Sequence, residues 1–367
     1  MLTLLIFLAV LSLLVFVHEW GHFIAARRLG AKVEEFGFGF PPRLFGWKRG
    51  ETTYSINWIP LGGFVKLKGE AGEFAHDPDS FSAKPIWKRV IIVAAGVTMN
   101  FFLAFVLFTI GLMMGLPQAT EEVPAGARVR DAHVAVGQIL PDSPAAVSGL
   151  AEGDVIMALD GESVTDIRAT QKYISGHDNV PVRFTVKRLG GEVQAVVTPR
   201  MLAQVGRVGV GVGLFEVGIV SYPWYLAPIR GAQLTASLTI EIVRAFGHVI
   251  GRLVTTGKAG VDVSGPVGIA VLTGRAAALG IAYLLQFTAI LSLNLGIINF
   301  LPIPALDGGR FLFLAIEKIR RKPVPRRAEA IIHQIGFALL LTMVLIVTYR
   351  DLVRFSDTIV GGLKNLF

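Results

Sequence analysis

Apolar positions along this chain fall in long blocks separated by polar stretches. Leu2 to Val17 carries no charge, and the apolar character continues past Glu19 as far as Ala26. Val90 to Leu116 and Ala276 to Leu306 carry no charge either, although Asn294, Asn299, Pro302 and Pro304 interrupt the end of the latter. Ala330 to Tyr349 holds only His333. A bilayer core of about 30 Å takes about 20 helical residues. The blocks therefore predict four transmembrane helices, near 2–26, 90–116, 281–301 and 330–349. The first block lacks a basic leader and is long for a signal peptide, so it is read as a retained span.

Two stretches between the spans change period. Phe36 to Phe40 and Tyr54 to Ile59 alternate, and Gly62-Gly63 precedes a further strand, Phe64 to Lys68. This predicts paired strands directly after the first span. Val134 to Leu140 alternates again, as does Val180 to Lys187, and a Gly190-Gly191 turn leads to another strand. From Ser221 to Lys258 the period is helical, but Glu241, Arg244, His248 and Arg252 form one polar stripe. That spacing predicts an amphipathic helix lying on the membrane surface. The expected domains are 1–116, 120–215, 221–275 and 276–367.

Composition supports a membrane setting. Of 367 residues, 53% are hydrophobic and 17% charged, against about 25% charged in soluble domains. With no cysteine, disulfide frameworks, thiolate zinc sites and thiol nucleophiles are excluded. The net charge of +8 is not gathered into a basic block with interleaved aromatics, which argues against a nucleic-acid partner. It reads instead as topology. Arg27, Arg28, Lys84, Lys88 and Arg89 flank the first inter-span loop, and Lys318, Arg320, Arg321, Lys322, Arg326 and Arg327 fill the last. Both loops should be cytoplasmic, which leaves the termini and the long segment 117–280 outside.

The first span contains His18-Glu19-Trp20-Gly21-His22. Two histidines four apart share one helix face, so both imidazoles can reach one metal ion, with Glu19 as general base for a water. Ionisable groups are costly inside a membrane and are usually functional there. A catalytic zinc takes three protein ligands. The candidates are the acids and His76, His133, His177, His248 and His333. Depth favours Asp307. His18 and His22 lie about 27 Å along the first span, and Pro302 and Pro304 end the third span at the same cytoplasmic level. Alone, Asp307 in Asp-Gly-Gly would read as a turn residue.

These motifs resemble those of bacterial site-2 proteases, of the regulator-of-sigma-E protease type. The resemblance rests on His18-Glu19-x-x-His22, on Asn299-x-x-Pro302-x-Pro304-x-Leu306-Asp307-Gly308-Gly309, and on Ser264-Gly265-Pro266-Val267-Gly268-Ile269. It implies that His18, His22 and Asp307 bind one zinc ion, that Glu19 is the catalytic base and that Asn299 contacts substrate backbone. It also implies a β-structure dipping into the bilayer beside the first span. The implied substrates are single-span proteins of the bacterial inner membrane, anti-sigma-factor-like proteins or signal-peptide remnants. Residues 120–215 resemble one PDZ-like domain, which would bind a peptide C-terminus or only restrict access. The expected fold class is thus an α-helical polytopic membrane protein with four transmembrane helices, a membrane-associated β-region and an inserted β-rich PDZ-like domain. Two rival readings are a membrane-anchored PDZ adaptor with a structural metal site and a membrane-anchored metalloprotease with Glu as third ligand.

Overall fold

The uncharged run at the start of the chain forms one helix, α1 (Leu2–Arg28), closed by two basic residues in its last turn. In the computed structural model the described residues are 2–356, except 71, 121, 122, 125, 165, 189, 190, 204, 258–263 and 323. Residue 190 of the expected Gly-Gly turn, residue 258 at the end of the amphipathic segment and the tail from 357 lie outside them. The further elements are β1 (Val33–Arg49), β2 (Thr52–Leu67), α2 (Ile86–Met114), β3 (Leu116–Ala119), β4 (Arg128–Ile139) and α3 (Pro144–Val147). Then come β5 (Val155–Leu159), β6 (Glu162–Ser163), α4 (Ile167–Ser175), β7 (Val182–Arg188), β8 (Gly191–Val197), β9 (Arg200–Leu202), β10 (Arg207–Gly209) and β11 (Val212–Ser221). The chain continues with α5 (Ala227–Thr256), α6 (Pro266–Leu279), α7 (Ile281–Phe300), α8 (Asp307–Arg320) and α9 (Arg326–Arg354).

Two compact units result: residues 1–109 with 231–367, and residues 110–230. In the first, the core gathers Phe23 and Ala26 of α1, Phe36 of β1, Leu67 of β2, Ile92 and Val93 of α2 and Leu314 of α8. β1 and β2 are longer than the alternation predicts. They bend so that Val33–Phe38 pairs with Leu67–Gly63, while Arg43–Arg49 pairs with Asn57–Thr52. The expected break at Gly62-Gly63 does not occur, and β2 runs through it. The reason is packing. Gly62 has φ +101°, and a Cβ there would press on Val15 of α1 at 2.7 Å. The glycines bring the strand against the helix, and Ser12 Oγ donates to the Pro60 carbonyl at 3.0 Å.

α6 and α8 separate from the expected spans as short helices. Pro266 stands in the first turn of α6, where a missing N–H costs nothing. The Gly268 N–H donates to the buried Asp351 carboxylate of α9 at 2.6 Å, so a negative group from α9 meets the positive end of α6. This accounts for Gly265 and Gly268, whose Cβ atoms would each lie 3.0 Å from Asp351 Oδ2. Among the described residues, five helices have the length and composition to cross a bilayer: α1, α2, α5, α7 and residues 327–354 of α9. Four were expected, and α5 is the least apolar of the five.

The second unit is built on a seven-stranded sheet in the order β3-β11-β4-β5-β7-β8, with β6 beside β5. Alternate residues Val134 and Val136, Val182, Phe184 and Val186, and Ala195 and Val197 point to one core, as period-2 strands require. Asp166 caps α4, accepting from Ala169 N–H at 2.7 Å. Asp154 is buried and takes two bonds from Arg188, of 2.6 and 2.7 Å.

Candidate metal centre and catalytic site

His18 and His22 are both buried and project from one face of α1, with ring centroids 4.8 Å apart and ring planes at 83°. Close approach of α2 makes room for them. A Cβ at Gly21 would overlap the Ala95 carbonyl of α2, and a Cβ at Gly96 would overlap the His22 ring and touch the His18 ring. His22 Nδ1 lies 2.9 Å from the Ile92 carbonyl. A carbonyl only accepts, so Nδ1 carries the proton and Nε2 offers its lone pair.

The third group arrives from α8. α7 stops at Phe300, and Leu301 is extended (φ −63°, ψ 142°), as the residue before a proline should be. Between Leu301 and Asp307 the chain folds tightly, with Ile303 N–H on the Leu301 carbonyl and Leu306 N–H on the Ile303 carbonyl. Ala305 takes φ +76°, and its N–H donates to His333 Nδ1 of α9 at 2.9 Å. Gly308 and Gly309 are required here. A Cβ on Gly308 would overlap the Leu301 carbonyl, and one on Gly309 would lie 2.7 Å from the Ile303 oxygen. Asp307 is thereby delivered as the first residue of α8.

Its Oδ2 stands 3.0 Å from His18 Nε2 and 3.3 Å from His22 Nε2, and the two Nε2 atoms are 3.2 Å apart. A tetrahedral ion with zinc–ligand bonds of about 2.0 Å needs donors about 3.3 Å from one another. The three atoms therefore form one face of such a tetrahedron, with the fourth position left for water or substrate. Two imidazoles and a carboxylate are also a donor set that zinc accepts in catalytic sites. Among the described residues this is the one cluster of three such groups. His76, His133, His177, His248 and His333 stand outside it.

Glu19 lines a cavity of about 160 Å³ together with His22 and Asp307. Its neighbours there include Glu70 and Arg310, which form an ion pair. The same pair lines a larger cavity of about 690 Å³ with Glu34, Lys66, Glu329 and His333. Asn299 Nδ2 lies 3.4 Å from His18 Nε2, which places the side chain beside the cluster. Asn100, buried in α2, has Nδ2 at 3.1 Å from His18 Nδ1. Asn100, Glu70 and Arg310 were not singled out from sequence as parts of the site, and His333, weighed there as a third ligand, instead accepts from the loop that carries Asp307. For Asn100 a signal was present: a polar residue one turn from Gly96 inside an uncharged span.

The second unit carries its own cavity of about 400 Å³ between α4 and the strands that follow β8. Arg168, Lys172 and Arg207 stand around it, over Leu140, Ile174, Val210 and Leu214.

Comparison with known proteins matches residues 6–343 to peptidase family M50. The zinc metalloprotease RasP of Geobacillus kaustophilus is 34% identical, covering 95% of this chain and 97% of its own. A putative zinc metalloprotease of Clostridium perfringens is 36% identical over 93% and 96% of the two chains. The regulator of sigma-W protease RasP of Bacillus subtilis is 31% identical over 96% and 98%. Among solved structures, the PDZ domain of an SdrC-like protein of Listeria innocua is 25% identical, covering 22% of this chain and 92% of its own, with a TM-score of 0.21.

Proposed function

The chain belongs to peptidase family M50 and is a zinc metalloprotease, and from that premise we infer that it is an intramembrane endopeptidase. Its substrates are single-span membrane proteins, cut in or near their transmembrane segments. The observation that carries this reading is the meeting of His18, His22 and Asp307 donors at 3.0–3.3 Å, with Glu19 on the adjoining cavity. One ion held by those three groups would acidify a water and polarise the scissile carbonyl. Glu19 takes the proton of the attacking water and returns it to the leaving amine nitrogen. Asp307 and the two imidazoles hold their donors fixed, because α2, His333 and the Gly308-Gly309 contacts leave them little freedom. Asn299 stands close enough to the cluster to hold substrate backbone by hydrogen bonds.

On this reading the chain is a multi-pass protein of the bacterial cytoplasmic membrane. Its basic loops and active site lie at the cytoplasmic face, and the termini and second unit lie outside. Four helices span, and α5, with exposed Glu241, Arg244, His248 and Arg252, lies on the outer surface. A transmembrane substrate hides its peptide bonds in its own helix and must unwind before cleavage. β1 and β2, packed along α1, supply a sheet edge for the unwound segment. Anti-sigma-factor-like proteins and signal-peptide remnants fit this role, and a relative named as a regulator of sigma-W supports the first. The second unit is read as a single PDZ-like domain. The Arg168, Lys172 and Arg207 cations beside its cavity suit a peptide carboxylate. Incubation of the purified chain with a single-span substrate in vesicles tests the reading. Wild type should cleave, a chelator should stop it, and Glu19→Gln should keep its zinc and lose cleavage by about 10²–10⁴-fold. Full cleavage by Glu19→Gln contradicts the mechanism.

A further inference from the structure

Three residues of α2 stand behind the histidines at a spacing of four: Ile92, Gly96 and Asn100. Such a stripe lies on one face of a helix. Each has a different relation to the rings. The Ile92 carbonyl accepts from His22 Nδ1. Gly96 offers no side chain where both rings sit. Asn100 places its amide 3.1 Å from His18 Nδ1. It is fully buried, and its own backbone carbonyl is held by Ser292 Oγ of α7 at 2.8 Å.

The Asn100 amide turns its NH₂ group toward His18, while its buried Oδ1 has no hydrogen-bond partner among the described residues. That arrangement conflicts with the chemistry of the centre. If His18 Nε2 gives its lone pair to a metal, Nδ1 carries the hydrogen and is a donor. A donor facing an NH₂ group gains nothing. The two ends of a side-chain amide are nearly indistinguishable in shape and are assigned from the hydrogen-bond network. Nothing among the described residues holds Oδ1 where it is. Turning the amide over puts Oδ1 opposite Nδ1–H at the same separation.

We propose that Asn100 is a positioning residue: its Oδ1 accepts from His18 Nδ1–H and so fixes the ring that presents Nε2 to zinc. This rests on the metal-centre reading given above. α2 then holds both imidazoles from behind, His22 by a backbone carbonyl and His18 by a side-chain one. Partners of this kind set the tautomer and ring orientation of ligating histidines, and their loss weakens metal binding by about 10–100-fold.

The test is the zinc dissociation constant of the full chain in detergent, measured by competition with a fluorescent chelator. Asn100→Leu keeps the size and removes the acceptor, and its constant should rise about 10–100-fold. Asn100→Asp keeps an acceptor and removes the NH₂, and should bind at least as tightly as wild type. An unchanged constant in Asn100→Leu overturns the proposal. So does equal weakening in both variants, since an acceptor would then not be what matters. Should a variant fail to fold, nitrogen NMR of histidine-labelled, zinc-loaded wild type decides. A protonated, slowly exchanging His18 Nδ1 supports the proposal, and an unprotonated or rapidly exchanging one overturns it. Wild type that binds no zinc overturns the metal centre together with this inference, whereas zinc-binding wild type with indifferent variants overturns only the role of Asn100.

Discussion

Asp307 Oδ2 lies 3.0 Å from His18 Nε2, although 289 positions separate the two residues in the chain. The contact joins the second half of α1 to the start of α8, and each side is prepared locally. On α1 the helix repeat aligns His18 with His22. At α8 the two prolines end α7, and two glycines let the chain turn sharply enough for Asp307 to face back toward α1. The cluster of His18, His22 and Asp307 is therefore a product of tertiary packing at a place where each partner's backbone is already committed.

Gly96 is the first point at which that packing can be tested. Alanine favours a helix interior over glycine by about 1 kcal/mol, so Gly96→Ala should not weaken α2 itself. Its methyl would instead overlap the His22 ring and crowd His18. We expect zinc affinity and cleavage both to fall, cleavage by about 10²-fold for a displacement near 1 Å. Metal titration and cleavage of the variant in detergent check this, and wild-type affinity would show that the rings do not depend on this space.

His333 supports Asp307 at a distance. Its Nδ1 accepts the N–H of Ala305, the residue held at φ +76°. His333→Leu leaves that N–H without its acceptor, a loss of about 1–3 kcal/mol. Thermal unfolding in detergent should show the loss. Zinc should bind more weakly as well, because the loop that carries Asp307 is freed. A variant with wild-type unfolding and zinc affinity would contradict this support role.

In the second unit, acid should act through Asp154. Burial raises its pKa, but two bonds from Arg188 and one from Ala151 N–H outweigh that and hold the carboxyl below its usual range. A folded value below the unfolded one means stabilisation that is complete above the unfolded pKa of about 3.9. It is lost as pH falls through the lower folded value. Hydrogen exchange of β5 and β7 should therefore show wild type better protected than Asp154→Asn at neutral pH. The gap should close below about pH 4. A gap that persists unchanged into stronger acid would contradict this account.

Much of the site was legible in the sequence because its signals are local. The His18 to His22 spacing, the proline break after Asn299 and the charges beside the spans each need only a few residues to read. The expected span at 281–301 coincides with α7, but α6 was not read as a helix of its own, since it is short and Gly280 parts it from α7 without altering hydropathy. α8 was hidden in what reads as a basic loop, because its apolar face is short and its last turn is charged. Gly62-Gly63 read as the point before a separate strand, yet Gly62 serves contact with Val15, which only the folded chain reveals. Asn100 and His333 act on the site through single hydrogen bonds from other helices. No periodicity announces such bonds.

The central claim is that one zinc ion is held by His18, His22 and Asp307 together. Metal analysis of purified wild type and Asp307→Asn, prepared side by side, tests it most directly. The account predicts about one zinc per wild-type chain, with three protein ligands and an open fourth position, and a large loss in the variant. Equal zinc content in the two proteins would contradict it and assign the third ligand to another residue.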